Sequence, residues 1–401
     1  MTRVRTGLEA FLDPAGDAAG LGRGAGLGVV AHPASIDAGG RHLVDRLARD
    51  GRFKIVRLFG PEHGIRGEAQ DMEAVQEPVD RSTGLPIVSL YGRDEASLRP
   101  RAEHLRGLDA IVYDLQDIGT RYYTFVVTLS YVIEAAREAG IPVIVLDRPN
   151  PIGGIAVEGP VLHPAFASFV GRFPIPVRHG MTTGELALMM RDAFGLGGDV
   201  RVVRLSGWSR RHRFDATGLP WVLPSPNMPT PETALVYPGG CLIEGTNLSE
   251  GRGTTRPFEL VGAPWVDPAA LAEALGQAAD QEGLDGVLFR ATTFRPMFGK
   301  HAGRSCGGVQ VHVTDPDRVR PFAVYLVLLR EVRRLAPGPF DWRREPYEFV
   351  SDRLAIDLLL GRSDLRPMLE AGVPLAEMTA AWRDDLARFE ADRRRYLLYP
   401  E

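Results

Sequence analysis

The segment AIVYDLQDIGTRYYTFVVTLSYVIEAAREAGIPVIVLD, residues 110–147, contains one complete strand–helix–strand pattern. A short β-branched run from Ala110 to Leu115 is followed by a helical pattern from about Tyr122 to Ala139 and by a second apolar run, Pro142 to Asp147. A helix between two such runs predicts parallel neighbouring strands, because a parallel connection needs a crossover of this length. The segment therefore indicates an α/β fold.

The same alternation extends over the first 205 residues. Further strand candidates are 27–31, 53–60, 85–91 and 200–205, and further helix candidates lie near 43–48 and 183–194. This pattern predicts a Rossmann-like, mostly parallel sheet that is flanked by helices. Ligands bind beyond the carboxyl ends of the strands in such sheets, so polar residues at those ends are site candidates.

The pattern changes in the second half of the chain. Proline and glycine are dense over 217–264, a helical pattern returns at 268–281, and strand candidates follow at 286–290 and 308–313. From about Phe322 the chain is helical and charge-rich, which is typical of a solvated face. We place a boundary near residue 235 and predict a Rossmann-like catalytic domain, 1–235, and a smaller α+β domain, 236–401.

The bulk composition excludes some classes of partner. The 401 residues include 47 basic and 51 acidic side chains, for a net charge of -4, which gives no reason to expect nucleic acid as a partner. No run approaches the roughly 20 apolar residues that span a bilayer. The N-terminus lacks the apolar stretch of a secretory signal, so we expect a cytoplasmic protein, or an exported one if the chain is a trimmed form.

Two strand ends carry candidate catalytic carboxylates. Glu62 and His63 follow the run 53–60 directly, and a carboxyl group among apolar residues and glycine can act as a general acid. A turn-stabilising carboxylate explains that motif equally well. After Ala110–Leu115, Asp114 and Gln116 share one face of an extended chain and suit sugar hydroxyls or an acetamido group, while Asp117 can cap the next helix.

Cations and amides follow at later positions. Arg121, Arg148 and Arg178 offer planar forks for a carboxylate. A glycine-rich segment, 244–258, suggests a phosphate cradle, but its spacing matches neither nucleotide-binding motif. Metal ligation by the aspartates is a rival reading that lacks a histidine at ligand spacing.

These motifs resemble those of a known family, the NamZ-type exo-β-N-acetylmuramidases. The matching segments are GPEHGIRG (60–67), DLQDIG (114–119), LDRPNPIGG (146–154), PSPNMPT (224–230) and LIEGTNLSEGRGT (242–254). The resemblance implies a Rossmann-like N-terminal domain, a C-terminal domain that completes the active-site cleft, hydrolysis of terminal β-1,4-linked N-acetylmuramic acid (MurNAc), and no metal or organic cofactor. The expected substrates are peptidoglycan-derived MurNAc-GlcNAc saccharides or muropeptides.

The resemblance and the chemistry together give a mechanistic hypothesis. Glu62 is the general acid, and the 2-acetamido group of the substrate, polarised by Asp114 or Asp117, captures the anomeric centre; a direct carboxylate nucleophile is the competing route. Arg148, Arg178, His179 and Arg252 are the candidate cations for the lactyl carboxylate of MurNAc. The residues predicted to bind substrate are His63, Gln116, Arg121, Tyr122, Arg148, Asn150, Arg178, His179, Asn227, Glu244, Asn247, Glu250 and Arg252.

Two other functions stay open at this stage. One is a non-catalytic protein that binds muropeptides, and the other is an α/β enzyme that acts on phosphorylated or nucleotide-linked sugars. The hydrolase hypothesis requires the side chains from these separate loops to meet in one crevice sized for a terminal saccharide.

Overall fold

A computed structural model describes residues 3–67 and 79–401 of the chain. Within these residues the strands are β1 Gly26–Ala31, β2 Lys54–Gly60, β3 Ile87–Ser89, β4 Ala110–Asp114, β5 Val143–Leu146, β6 Glu158–Val161, β7 Pro176–Arg178, β8 Val200–Val203, β9 Leu260–Ala263, β10 Val287–Phe294 and β11 Cys306–Val313. The α-helices are α1 Gly7–Phe11, α2 Leu43–Asp50, α3 Ala102–Leu105, α4 Phe125–Ala139, α5 Thr183–Asp192, α6 Pro231–Gly240, α7 Pro268–Glu282, α8 Pro321–Leu335, α9 Ala355–Leu360, α10 Leu365–Glu370, α11 Leu375–Ala380 and α12 Arg383–Arg393.

Six strands form one parallel sheet in the order β3-β2-β1-β4-β5-β8. The order runs outward in two directions from β1 and β4, which is the arrangement of Rossmann-like folds. The predicted α/β fold with a mostly parallel sheet is therefore confirmed. Its ligand site is expected at the carboxyl ends of β1 and β4, where the strand order reverses.

Alternate residues of the central strands enter two different cores. Ile111 and Tyr113 of β4 belong to the larger core, which includes apolar residues of α4 and α5. Val112 belongs to the smaller core, which includes residues of α1 and α2. Because side chains of a strand alternate between its two faces, both faces of the sheet are covered, and the central strands are apolar at nearly every position.

The second half of the chain adds a three-stranded antiparallel sheet in the order β10-β11-β9, against which α7 packs. Helix α8 packs on α6 and α7 and belongs to the larger core, with Phe322, Leu326 and Val327 almost fully buried. The prediction of a solvated, charge-rich face from about Phe322 is therefore wrong for α8. The last turn of the helix carries Arg333 and Arg334. The apolar residues before it, Pro321 to Leu329, are buried by the elements that pack against the helix.

The two halves share one hydrophobic core. That core includes Tyr113 of the parallel sheet and Val309 of the antiparallel sheet. Helix α6 spans the boundary that we placed near residue 235, so the division into 1–235 and 236–401 stays a prediction. No helix among the described residues is both long enough and apolar enough to cross a membrane.

Candidate functional site

A cavity of about 490 Å³, counting the part that opens to solvent, lies beyond the carboxyl ends of β2 and β4. Its polar lining comes from both halves of the chain and consists of Glu62, His63, Thr124, Ser225, Asn227, Glu244, Arg252 and Glu348. Its other walls are Tyr122, Tyr123, Phe125, Val170, Met228, Tyr237, Phe258 and Tyr347. The mixture of aromatic rings and polar groups in this lining suits a sugar.

Glu62 reaches this cavity from the loop that follows β2. The strand ends at Gly60, and His63 has a left-handed backbone with φ of 69°, so the chain turns sharply at the carboxyl end of the sheet. The Glu62 side chain is only 4% exposed, and its Oε2 accepts a hydrogen bond of 2.7 Å from the Thr124 hydroxyl. A neutral hydroxyl donor orients a carboxyl group without placing a cation beside it.

A second carboxylate in the cavity has a charged partner. Glu244 accepts a hydrogen bond of 2.7 Å from Arg252 at Oε1 and another of 2.7 Å from the Tyr347 hydroxyl at Oε2. The Arg252 guanidinium also lies over the Phe258 ring, 5.4 Å from its centroid. A guanidinium partner favours the ionised carboxylate, so Glu244 and Glu62 stand in different electrostatic surroundings.

Glu250 links Arg252 to Lys300 in a network of ion pairs. Lys300 Nζ lies 2.9 Å from the Glu250 carboxylate, and Arg252 Nε lies 3.5 Å from it. Burial alone would raise the pKa of Glu250, but Lys300 and Arg252 outweigh burial, and the pKa lies below its ordinary value. Glu250 therefore anchors Arg252 from outside the cavity lining.

Asp114 and Arg148 meet each other. Arg148 donates from Nε and Nη2 to the two oxygens of Asp114, at 2.5 and 2.9 Å, and Nη2 also donates to the Ile36 carbonyl. Asp114 is fully buried, and neither residue belongs to the cavity lining within residues 3–67 and 79–401. The two groups predicted to contact sugar thus form a buried bidentate ion pair that holds β4 and β5 together at their carboxyl ends.

Asp117 and His179 form a second buried pair outside the lining. The Asp117 Oδ2 accepts from the Gly119 N–H at 2.6 Å and lies 3.7 Å from the His179 Nε2. Burial raises the pKa of Asp117 to about 7, and burial lowers the pKa of His179 to about 3. At neutral pH the imidazole is therefore uncharged and gives the carboxylate no cation.

Two other side chains that we predicted to bind substrate are hydrogen-bonded to backbone carbonyls. Gln116 Nε2 donates to the Asp117 and Pro149 carbonyls, and Asn150 Nδ2 donates to the Met181 carbonyl. Those two amides therefore bond to the chain itself. Both residues follow the ends of strands, as predicted, but their hydrogen bonds connect neighbouring loops.

Three further predicted ligands bond to backbone carbonyls and do not line the cavity. Arg121 donates to the carbonyls of Pro160, Ile175 and Leu359, and burial lowers its pKa to about 10. Arg178 donates to the Ile152 carbonyl and lines a separate surface groove. Asn247 donates to the Pro339 carbonyl. Of the four cations predicted for a lactyl carboxylate, Arg252 is the one in the cavity.

Sequence reasoning missed several members of the lining. Tyr123, Ser225, Tyr237, Tyr347 and Glu348 were not predicted. Tyr123 and Ser225 adjoin segments that we did single out, so a wider window around each motif would have included them. Tyr347 and Glu348 lie in a segment with no strand-end or glycine-rich signal, and only the tertiary fold brings them to Glu244 and Tyr91. No group of three or more His, Cys, Asp or Glu side chains that could hold a metal ion occurs in the part of the chain that the structure describes.

Both halves of this chain are similar in sequence to a known protein family. The family model "Exo-beta-N-acetylmuramidase NamZ, N-terminal" matches residues 27–232, and its C-terminal counterpart matches residues 235–399. A relative from Bacillus subtilis (strain 168), named peptidoglycan beta-N-acetylmuramidase NamZ, is 43% identical over 397 residues, which cover 99% of this chain and 92% of the relative.

Two crystal structures have the same fold. Both are DUF1343 family proteins from Bacteroides fragilis NCTC 9343, and each comparison covers the whole of both chains. One has a TM-score of 0.87 at 32% sequence identity, and the other has a TM-score of 0.77 at 29% identity. The similarity in fold therefore extends over the full length of the chain.

Proposed function

This chain belongs to the NamZ family of exo-β-N-acetylmuramidases and is a glycoside hydrolase, and from that premise we propose that it releases terminal β-1,4-linked MurNAc from the non-reducing ends of peptidoglycan fragments. The observation that carries the proposal is the convergence of Glu62, Glu244 and Arg252 on one cavity. The sequence segments of the family resemblance supply all three residues. Substrates of this kind are MurNAc-GlcNAc saccharides and muropeptides.

Glu62 acts as the general acid that protonates the leaving oxygen. Glycoside cleavage needs one carboxyl group that carries a proton and one group that stabilises the anomeric centre. Glu62 is nearly buried and bonds to the neutral Thr124 hydroxyl, while Glu244 bonds to the Arg252 cation. The difference between these partners supports Glu62 for the acid and Glu244 for the ionised carboxylate.

The 2-acetamido group of MurNAc captures the anomeric centre, and Glu244 orients that group. In the sequence-based hypothesis Asp114 or Asp117 had this role, but Asp114 bonds to Arg148 and Asp117 does not line the cavity. Glu244 is a carboxylate of the cavity itself. A direct attack by Glu244 is the competing route, and a MurNAc glycoside without the acetamido carbonyl separates the two: substrate assistance predicts no cleavage of that analogue.

Arg252 recognises the lactyl carboxylate that distinguishes MurNAc from N-acetylglucosamine (GlcNAc). A guanidinium presents several donors in one plane and matches a carboxylate well. Its position between Glu244, Glu250 and the Phe258 ring fixes the direction of the fork. A neutral sugar such as GlcNAc would leave this partly buried cation without its substrate partner.

Incubation of the protein with MurNAc-GlcNAc, followed by mass detection of free MurNAc, tests the proposed function. Release of MurNAc from the non-reducing end is the expected result. Tight binding of the disaccharide without release would favour the muropeptide-binding alternative instead. Thermal stabilisation by nucleotides, with no effect of MurNAc-GlcNAc, would favour an enzyme of nucleotide-linked sugars.

A further inference from the structure

A tight turn between Tyr347 and Val350 carries Glu348 and Phe349 at its corner. The N–H groups of Tyr347 and Val350 each donate to the carbonyl of the other residue at 2.9 Å. The backbone φ angle is 44° at Glu348 and 68° at Phe349. Two left-handed residues in this setting are typical of a type I′ turn, which favours Asn-Gly.

Glu348 and Phe349 are poor residues for such a turn. A side chain with a Cβ is strained in the left-handed region, and neither glutamate nor phenylalanine gains the local hydrogen bond that asparagine can make there. The surroundings hold them in place: the Tyr91 hydroxyl donates to Glu348 at 3.1 Å, and the Phe349 ring centroid lies 5.8 Å from Tyr91 and 6.2 Å from Phe169. Strain that packing maintains is characteristic of functional sites.

The two corner residues of the turn have different surroundings. Glu348 is 5% exposed and lines the cavity that also contains Glu62. Phe349 is 36% exposed, and its ring packs on Phe169, whose chain neighbour Val170 lines the same cavity. Glu348 therefore lines the cavity, and a partly exposed ring packs next to the cavity wall.

We propose that this turn binds the two sugars on either side of the scissile bond. The Glu348 carboxyl group accepts hydrogen bonds from hydroxyl groups of the terminal sugar, because its oxygens carry several lone pairs. The Phe349 ring packs against the apolar face of the leaving GlcNAc. This assignment rests on the proposed function for its substrate and adds the position of the leaving sugar.

Two substrates separate the roles of the two residues. Phe349→Ala lowers kcat/KM for MurNAc-GlcNAc about tenfold and leaves hydrolysis of β-MurNAc fluoride, which has no leaving sugar, unchanged. Glu348→Gln lowers kcat/KM for both substrates about tenfold or more, because both contain the terminal sugar. Phe166→Ala is the control, since this half-buried phenylalanine lines a different surface groove, and it keeps both activities. Equal effects of Phe349→Ala on the two substrates would overturn the assignment of the leaving sugar.

A matched pair at position 349 tests the strain itself. Phe349→Gly and Phe349→Ala both remove the ring, but only glycine relieves the left-handed backbone. The glycine variant should therefore have the higher Tm, the reverse of the usual order, with the same loss on MurNAc-GlcNAc. A higher Tm for Phe349→Ala would contradict the strained turn.

Calorimetry measures the affinity for MurNAc-GlcNAc in a Glu62→Gln background, where the same contacts form without turnover. There Phe349→Ala should weaken binding about tenfold. Unchanged binding overturns the role of the turn, even where the wild-type protein releases no MurNAc and the proposed hydrolysis itself has failed.

Discussion

Asp117→Asn should make the protein more stable, and the gain should grow with pH. Burial raises the pKa of Asp117 from 3.8 to about 7. At about 1.4 kcal/mol per pH unit, this rise corresponds to about 4 kcal/mol between the protonated and ionised forms. Within the described residues the Asp117 Oδ1 has no hydrogen-bond partner, and the nearby His179 is uncharged because burial lowers its pKa to about 3.

The sign follows from proton binding. Between pH 3.8 and about 7 the unfolded chain has ionised Asp117 while the folded protein retains its proton, so wild-type stability from this group is complete below 3.8 and is lost as pH rises to about 7. Asparagine carries no proton, and its carbonyl can accept from the Gly119 N–H as Asp117 Oδ2 does. His179 is present in both proteins, so its own titration cancels in the difference.

Urea unfolding of the two proteins at several pH values measures this difference. Asp117→Asn should exceed wild type by about 1.5 kcal/mol near pH 5 and by up to about 4 kcal/mol near pH 8, the upper value being a limit because the folded protein can relax around the charge. A difference that does not change with pH would refute the reasoning. Turnover per folded molecule in the same samples tests the catalytic role predicted for Asp117.

Three further predictions concern the cavity and its support. Arg252→Gln should lower kcat/KM for MurNAc glycosides about 30-fold, or about 2 kcal/mol, with a smaller loss for GlcNAc glycosides; equal losses would contradict recognition of the lactyl group. Thr124→Val should lower kcat about tenfold because Glu62 loses its hydroxyl donor, and Thr124→Ser should restore it; full activity of the valine variant would count against that contact. Tyr399→Phe removes a hydroxyl that donates to buried Asp147 and should cost about 1–3 kcal/mol in urea unfolding at unchanged activity per folded molecule, whereas an unchanged midpoint would mean that the contact contributes nothing.

The sequence was sufficient for the parallel sheet because its strands are buried on both faces. Runs such as Ala110–Leu115 are then apolar at nearly every position and stand out between helical patterns. Helix α8 gave a misleading signal, since its charged residues suggested a solvent face while every residue from Phe322 to Leu329 is buried. Local charge cannot indicate that other parts of the chain cover a helix.

A site residue could be predicted from the sequence where its position directly after a strand is enough to bring its side chain to the cavity. Glu62 follows β2 and reaches the cavity, and the glycine-rich segment brings Glu244 and Arg252 to it. The same rule does not tell which partner a strand-end side chain will have, and Asp114 and Arg148 bond to each other. Such pairing depends on the distance between neighbouring strands, which the sequence of either strand does not contain.

The most direct test of the account compares Glu62→Gln with wild type on two leaving groups. MurNAc-GlcNAc needs protonation of its leaving oxygen, while 2,4-dinitrophenyl β-MurNAc has a leaving group that departs as an anion. We predict that kcat/KM falls by about 10²- to 10⁴-fold on the disaccharide and far less on the dinitrophenyl glycoside, with an unchanged Tm. Activity within about tenfold of wild type on the disaccharide, or the same loss on both substrates, would contradict Glu62 as the proton donor.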